Sequence, residues 1–255
     1  MGREVSISYP PERIISLVPS QTELLFDLGL QAEVIGLTKF CIHPGEQVRS
    51  KTKIGGTKKL NIDLIRSLKP DLIIGNKEEN EREQVEILMQ EFPVWMSDIA
   101  NLDDSLAMIK AVGDITGRWT EAGDIARQIK NGFDQLASVN RIEPLRIAYF
   151  IWKNPYMVAG KNTFIDNILK CTGWENAVTA SRYPELTPAE IAAADPDLIF
   201  LSSEPYPFKE KHIAEFRAIC PRARIVIVDG EMFSWYGSRL LKAPAYLQTL
   251  SCGRG

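Results

Sequence analysis

Short apolar runs alternate with segments of helical periodicity along the first hundred residues. The apolar runs have the length and the aliphatic content of buried strands, and polar turns bound them. They lie at 14–18, 34–37, 71–75 and 94–97. Because strands that alternate with helices form largely parallel sheets covered by helices, the pattern predicts an α/β lobe in this half of the chain.

The strand pattern stops between Asp103 and Val139 and then returns. Apolar residues in this stretch recur at helical spacing, which predicts a long helix within 116–141. Strand runs reappear at 146–152, 197–203 and 224–230. The predicted fold class is therefore α/β, with two similar lobes of mainly parallel sheet joined by one long helix. The predicted boundaries are 1–115 for the first lobe, 116–141 for the linking helix and 142–255 for the second lobe.

The second half of the chain repeats a pattern of the first. NIDLIRSLKPDLII at 61–74 matches TPAEIAAADPDLIF at 187–200 in order: a helix, a Pro-Asp-Leu turn and a strand. Thr187 and Glu190 have the spacing of a capping box, with Pro188 at the first helical position. Two similar lobes explain this repetition better than one continuous sheet does.

RIISLVPSQTELLFDLGL, which begins at Arg13, predicts a strand, a turn and an amphipathic helix. Ser20 and Glu23 have the S-x-x-E spacing of a capping box, so the helix is expected to begin at Ser20. Gln21 and Thr22 complete a polar segment between two apolar elements. A helix N-terminus at this place offers backbone N–H groups to an acceptor or an anion.

Composition excludes several classes of protein. With 45% hydrophobic and 25% charged residues and a net charge of −3, the chain is an ordinary globular protein without the basic surface that nucleic acid requires. No apolar run approaches the roughly 18 residues of a transmembrane helix, and the first residues lack a signal-peptide pattern. The chain is thus expected to be either cytoplasmic or already trimmed. The cysteines are too scattered for a zinc site or a disulfide framework, which predicts free, mostly buried thiols at Cys41, Cys171, Cys220 and Cys252.

Ligands of open α/β sheets bind beyond the carboxyl ends of the strands, so the loops there hold the candidate site. Cys41 and His43 could bind a soft metal or an axial position of a metal chelate, although two ligands make an incomplete site. Aromatic residues follow the later strands and are costly to expose unless a flat or apolar ligand covers them. The candidate ligand contacts are Pro19, Ser20, Gln21, Thr22, Phe40, His43, Asn76, Trp152, Tyr206, Trp235, Tyr236, Gly237 and Arg239.

The sequence makes specific predictions for two residues of GEMFSWYGSR. Phe233 is expected to pack inside its lobe. Arg239 could donate to a propionate, phosphate or catecholate, or it could form a salt bridge at the lobe interface.

The sequence contains none of the motifs that would indicate an enzyme. G-x-S-x-G, a P-loop, G-x-G-x-x-G and H-E-x-x-H are all absent. A binding protein is therefore predicted, with no cofactor required. The alternative from another class is a cytoplasmic metal-binding α/β protein or enzyme that uses Cys41 and His43.

Motifs in the order RIISLVPSQTELLFDLGL, IGGTKKLNIDLIRSLKPDLIIGNKEEN and MFSWYGSRLL resemble ABC-transporter substrate-binding proteins for cobalamin, haem or iron-siderophore complexes. The cobalamin-binding members are the most similar. The resemblance implies two lobes bridged by a backbone helix, a metal chelate bound in the cleft between them, and delivery to a membrane permease. It also implies a periplasmic or other extracytoplasmic location and a monomer.

Within this resemblance a corrinoid such as cobalamin is the favoured ligand, with an iron-siderophore complex or haem as the alternative. Asn76 stands where the cobalamin binder carries a stacking tryptophan. Acidic residues on the outer surface of each lobe are implied to pair with permease arginines. The corresponding residues here are Glu78, Glu79 and Glu81 in the first lobe, and Glu204 and Glu231 in the second.

Overall fold

The computed structural model describes residues 4–139 and 144–252. Within these residues the chain divides into two compact units. Unit 1 consists of 4–99, 103–129 and 235–239, and unit 2 consists of the remaining described residues. The predicted boundaries at 115 and 142 follow sequence segments, whereas these units are defined by packing; the predicted boundaries stay a prediction.

Unit 1 is built around a parallel five-stranded sheet with strand order β3-β2-β1-β4-β5. The predicted strands are confirmed; the two-residue β3 has too little pattern to be recognised from sequence. Ile14, Ile15 and Ile73 are fully buried in the sheet. The elements are β1 (Ile14–Ser16), α1 (Pro19–Asp27), β2 (Val34–Leu37), α2 (Gly45–Arg49), β3 (Thr52–Lys53), α3 (Ile62–Leu68), β4 (Leu72–Asn76), α4 (Arg82–Glu91) and β5 (Val94–Ser97).

Two helices follow β5: α5 (Leu102–Thr116) and α6 (Trp119–Val139). The helical stretch breaks at Gly117, whose φ of 72° is readily adopted only by glycine. The predicted long helix is confirmed as α6, which begins in unit 1 and continues in unit 2 from Lys130. Residues 140 and 141, its predicted end, lie outside the described residues. No helix in the described part of the chain has the length and apolar character needed to cross a bilayer.

Unit 2 has a separate, mixed sheet with the order β11-β10-β6-β7-β9, and β8 also pairs with β6. β7 and β9 run antiparallel to their neighbours, while β6, β8, β10 and β11 are parallel. The elements are β6 (Arg146–Trp152), β7 (Tyr156–Val158), α7 (Phe164–Cys171), β8 (Glu175–Asn176), β9 (Glu185–Leu186), α8 (Pro188–Ala193), β10 (Leu198–Ser202), α9 (Ile213–Ile219), β11 (Arg224–Val228), α10 (Glu231–Ser234) and α11 (Ala243–Cys252), with short 3₁₀ helices at Glu210–His212 and Ser238–Leu241. The two sheets confirm the predicted fold class.

The internal sequence repeat has a structural basis in both units. The aspartate of the Pro-Asp-Leu turn accepts a hydrogen bond from the backbone at the start of the first strand: Asp71 from the N–H of Arg13 at 2.9 Å, and Asp197 from that of Arg146 at 2.8 Å. Each arginine side chain also donates to carbonyls at the end of the preceding helix, Arg13 to Leu68 and Arg146 to Ala194. The same turn thus anchors the central strand of each sheet.

The two predicted capping boxes have different outcomes. The box of Thr187 and Glu190 is confirmed: the Thr187 hydroxyl accepts from the Glu190 N–H, and the Glu190 carboxylate accepts from the Thr187 N–H at 2.7 Å. The box of Ser20 and Glu23 is wrong. α1 begins at Pro19 with Val18 as an N-cap that makes no side-chain hydrogen bond. Since proline favours the first helical position, the N-cap lies two residues earlier than predicted, at Val18 and not at Ser20, and Ser20 is inside the helix.

Candidate functional site

The polar segment at the start of α1 is buried within unit 1. Ser20, Gln21 and Thr22 are at most 3% exposed. Gln21 Nε2 donates to the Ser97 hydroxyl at 2.7 Å, and Asn76 Nδ2 donates to the same oxygen at 3.0 Å. This network joins α1 to the carboxyl ends of β4 and β5. The segment is therefore internal to the unit, and Pro19 is its only partly exposed member.

A second buried cluster surrounds Cys41. Its sulfur lies 3.0 Å from the Thr22 hydroxyl and 3.2 Å from the Thr38 hydroxyl. Burial raises the pKa of the Cys41 thiol, so the residue stays protonated and hydrogen-bonded. Thr22 also donates to the Val18 carbonyl at 3.0 Å. These contacts fasten the loop after β2 to α1.

The described residues contain no group of three or more histidine, cysteine or carboxylate side chains placed to hold a metal ion. Cys41 and His43 gain no third ligand among them. The described cysteine side chains, Cys41, Cys171 and Cys220, form no disulfide; Cys41 and Cys220 are buried and Cys171 is partly so.

Asn76 organises the loop that follows β4. The residue is 1% exposed, and its side-chain oxygen accepts from the backbone N–H groups of Glu78 at 2.9 Å and Glu79 at 3.3 Å. Glu81 lies 3.5 Å from Lys58 Nζ, which also donates to the Glu78 carbonyl at 2.8 Å. Asn76 therefore fixes the backbone of Glu78 and Glu79. The side-chain oxygen and nitrogen of Asn76 are both hydrogen-bonded within the protein.

The loop between β2 and α2 exposes apolar side chains at the carboxyl edge of the unit 1 sheet. Phe40 is 52% exposed and Ile42 is 53% exposed. Lys39 Nζ lies 5.1 Å from the centre of the Phe40 ring. Exposed large apolar side chains at the edge where α/β sheets bind ligands are candidates for ligand contact.

The segment Trp235–Arg239 packs in unit 1, although the residues before and after it belong to unit 2. Gly237 is required for this close approach, because a methyl group on it would lie 2.4 Å from the Ser20 carbonyl oxygen. The Ser105 hydroxyl donates to the Tyr236 carbonyl at 2.6 Å. Trp235 and Tyr236 are 7% and 6% exposed. The protein itself therefore covers most of both rings, and their role as ligand contacts stays a prediction.

Arg239 forms a buried ion pair with Glu23. Its Nε and Nη2 lie 2.9 Å and 2.8 Å from the two carboxylate oxygens, and both residues are 6% exposed. Burial raises the pKa of the Glu23 carboxyl, and the charge of Arg239 opposes that rise. Glu23 therefore serves as the partner of Arg239, which accounts for its absence from the cap of α1.

The same pair supports an aromatic arrangement. The Arg239 guanidinium carbon lies 5.1 Å from the centre of the Trp235 ring, a cation–π distance. The Trp235 ring contacts His43 edge to face, with ring centres 5.5 Å apart. Glu23, Arg239, Trp235 and His43 thus form a continuous chain of contacts from α1 to the exposed loop after β2.

Three buried polar atoms in this region make no hydrogen bond to the described residues. They are Ser20 Oγ, Gln21 Oε1 and Ser238 Oγ. All three belong to residues that are at most 3% exposed. An unpaired buried polar atom is costly, so these atoms mark the least satisfied part of unit 1.

In unit 2, Phe233 is fully buried, with its ring centre 4.9 Å from that of Tyr149 and 5.7 Å from that of Phe200. The expectation that Phe233 packs inside its lobe is confirmed. Glu204 lies in the loop after β10, Glu231 is the first residue of α10, and both are partly exposed. The Glu204 carboxylate accepts from the Ser234 hydroxyl at 2.9 Å, which joins the loop after β10 to α10.

A second set of aromatic residues lies at the carboxyl edge of the unit 2 sheet. Trp152, the last residue of β6, is 41% exposed and contacts Tyr206 edge to face at 5.6 Å between ring centres. Tyr206 lies in the loop after β10, and its hydroxyl is 3.4 Å from Nε2 of the buried His212. Trp152, Tyr206 and His212 are called the aromatic shelf below.

The structure thus brings some predicted residues together within each unit. Phe40, His43, Trp235, Gly237 and Arg239 share one region of unit 1, and Trp152 and Tyr206 share one region of unit 2.

Comparison with known proteins identifies the family to which this architecture belongs. Residues 14–218 match the family model described as periplasmic binding protein, which spans most of the chain. The chain belongs to the periplasmic binding protein family. A vitamin B12-binding protein of Vibrio parahaemolyticus serotype O3:K6 is 28% identical over 198 residues, which cover 76% of this chain and 71% of that protein.

Two further comparisons agree with this family. An uncharacterized ABC transporter substrate-binding lipoprotein of Bacillus subtilis, YvrC, is 23% identical over 94% of this chain and 80% of its own length. The periplasmic heme-binding protein of Roseiflexus sp. RS-1 in apo form has the same fold, with a TM-score of 0.83 and 23% identity over 94% of this chain and 96% of its own.

Family membership confirms the resemblance read from the motifs. The protein is a substrate-binding component of the ABC-importer type, and proteins of this family are transport components rather than enzymes. Their setting is extracytoplasmic, either periplasmic or as lipoproteins.

Sequence reasoning missed Ile42, Glu23 as a buried partner, and His212. Ile42 could have been noticed as a second large apolar residue of the loop that contains Phe40. His212 is one of only two histidines and lies in an aromatic-rich stretch that also contains Tyr206 and Phe208.

Proposed function

We propose that this protein binds a metal chelate with a flat or apolar face and delivers it to the permease of an ABC importer outside the cytoplasm. The observation that carries the proposal is the exposure of large apolar side chains directly after parallel strands: Phe40 and Ile42 after β2, and Trp152 at the end of β6. In a protein of this family, such side chains supply contact area for a bound molecule.

A corrinoid is the first candidate ligand. The relative named a vitamin B12-binding protein matches 76% of this chain. Aromatic and aliphatic side chains suit the broad faces of a corrin ring, and no cofactor is required for binding. Haem and ferric siderophores present flat or apolar faces as well and are the alternative ligands. The contact of Arg239 with an anionic ligand stays a prediction. Two of the guanidinium nitrogens already contact the Glu23 carboxylate.

The experiment is a titration of the purified protein with cyanocobalamin, haemin and a ferric catecholate siderophore. Absorbance of the chelate and quenching of tryptophan fluorescence report binding. We expect saturable binding of at least one chelate, with cyanocobalamin the tightest. A protein that binds none of the three would contradict the proposal. Tighter binding of haemin or the siderophore would show that this chelate, and not a corrinoid, is the preferred ligand.

Variants of the exposed residues test the binding surfaces separately. Phe40→Ala and Trp152→Ala each remove a large side chain, which typically costs about 1–3 kcal/mol of affinity, or roughly 5- to 150-fold. Trp119→Ala is the matched control, since Trp119 is 66% exposed but begins α6 and does not follow a strand. An equal loss of affinity in the control would show that the effect is not local.

A further inference from the structure

The aromatic shelf of unit 2 has an internal support that the proposed function does not use. The His212 ring packs against the Tyr206 ring, with ring centres 5.7 Å apart, and His212 is 5% exposed. Phe208 packs against both rings, at 4.8 Å from Tyr206 and 5.5 Å from His212 between ring centres. The loop that carries Tyr206 is also bonded to β6, since the Tyr206 N–H donates to the Ile151 carbonyl at 3.3 Å. Tyr206 is therefore positioned by ring contacts with His212 and Phe208 and by a backbone hydrogen bond to β6.

The hydrogen bonds of His212 determine its tautomer. The Lys209 N–H donates to Nδ1 at 2.9 Å, so Nδ1 is an acceptor and carries no hydrogen. In a neutral imidazole the other nitrogen then carries the hydrogen. Nε2 faces the Tyr206 oxygen at 3.4 Å and donates to it. The Tyr206 oxygen accepts this bond, which leaves its own hydrogen for a different acceptor.

The charges around His212 favour the neutral form. Burial is the main cause that lowers its pKa, and the ammonium groups of Lys153, in the loop after β6, and Lys211, on its own 3₁₀ helix, lower it further. Glu215 of α9 opposes this effect, but its carboxylate is already bonded by Lys153 and by the Tyr156 hydroxyl. His212 is therefore neutral at pH 7, as the hydrogen bond from Lys209 requires.

We propose that His212 is a positioning residue for ligand binding: it holds the Tyr206 ring beside Trp152 and directs the Tyr206 hydroxyl hydrogen toward an acceptor oxygen at the edge of the chelate. The acceptor is a carboxylate or an amide carbonyl, which are the oxygens that metal-chelate side chains present. Trp152 supplies the stacking area, and Tyr206 supplies the directed donor. This inference rests on the proposed function, because it needs a chelate at the shelf.

A double-mutant cycle separates positioning from general structure. The probe is whichever of cyanocobalamin, haemin and the ferric catecholate siderophore the wild-type protein binds most tightly. Tyr206→Phe keeps the ring and removes the hydroxyl; His212→Phe keeps a ring and removes both hydrogen bonds. We expect each single variant to weaken binding about five-fold, the scale of one hydrogen bond. In the Tyr206→Phe background His212→Phe should change affinity less than two-fold, because the group through which it acts is gone.

The pH profile supplies a readout that a merely structural role would not give. Protonation would put a hydrogen on Nδ1 facing the Lys209 N–H, so that two donors would face each other. Because the pKa of His212 is lowered, wild-type affinity should fall only at a pH clearly below the usual His value of about 6.5. His212→Gln stays neutral and should give a flat profile while retaining a donor for Tyr206. It also retains His43, so a profile in His212→Gln that matches wild type would assign the titration elsewhere and overturn the proposal.

The outcomes distinguish the two proposals. If wild type binds none of the three chelates, the proposed function fails. If wild type binds a probe and both Tyr206→Phe and His212→Phe bind it with wild-type affinity, only the positioning role is overturned. Additive losses in the double variant would also overturn it. Thermal unfolding of each variant checks that it is folded at the temperature of the titration.

Discussion

At the residue scale, the polar side chains at the start of α1 face inward. Gln21 and Asn76 share the Ser97 hydroxyl, and Glu23 pairs with Arg239. Such groups can be buried because hydrogen bonds and an opposite charge offset much of the cost of removing them from water. These residues therefore determine how the loops at this edge are held, and the proposed ligand contacts Phe40 and Ile42 lie in one of those loops.

The buried ion pair yields a prediction about stability. Arg239→Ala leaves the Glu23 carboxylate buried without its partner, which should lower the free energy of unfolding by about 3–5 kcal/mol. Urea denaturation measures the change. Lys242→Ala, three residues further along and exposed, is the control and should shift the free energy by less than about 0.5 kcal/mol. If Arg239→Ala is as stable as this control, the pair does not carry the energy assigned to it.

At the scale of elements, matching sequence patterns begin two helices in different ways. Thr187 caps α8 through a reciprocal pair of hydrogen bonds with Glu190. Ser20 has the same spacing to Glu23 but lies inside α1, after Pro19. The difference comes from the position of proline: Pro188 follows the capping threonine, whereas Pro19 precedes the serine and occupies the first helical position itself.

Alanine substitutions at these two positions test that difference. Thr187→Ala removes a real cap and should cost about 1 kcal/mol of stability. Ser20→Ala removes a buried hydroxyl that makes no hydrogen bond among the described residues, so it should leave stability unchanged or raise it slightly. Denaturant unfolding of the two variants under one set of conditions gives the comparison. A loss in Ser20→Ala equal to that in Thr187→Ala would restore Ser20 as a cap.

At the scale of the whole molecule, each unit has its own sheet and its own acidic loops. Asn76 holds the loop of Glu78 and Glu79 in unit 1, and Ser234 holds Glu204 in unit 2. Carboxylates on fixed loops are suited to recognition by arginines of a partner. In a substrate-binding component of an ABC importer, we propose that these loops contact the permease.

Charge reversal tests this docking role. Glu78→Lys in unit 1 and Glu231→Lys in unit 2 should each weaken association with the importer's permease in proteoliposomes while leaving chelate affinity unchanged. The loss should diminish at high salt, since exposed charges are screened. Glu121→Lys on α6 is a charge-matched control. Parallel loss of permease association and chelate affinity would refute a specific docking role.

Local patterns in the sequence determined the elements and the fold class. Strand runs, helical periodicity and the repeated Pro-Asp-Leu turn are readable because their causes lie within a few residues of one another. The cap at Thr187 was readable for the same reason. The short strands β3, β7, β8 and β9 were missed, since two or three residues carry too little periodicity to be distinguished from loops.

Only the tertiary structure decided which candidate residues are covered and which are exposed. Trp235 and Tyr236 look like ligand contacts in sequence, yet their segment packs in unit 1 and is buried. Arg239 meets a partner 216 residues away, and the pairing of His212 with Tyr206 depends on how one loop folds back. Burial and charge pairing depend on contacts between distant parts of the chain, so they cannot be predicted from local periodicity and spacing.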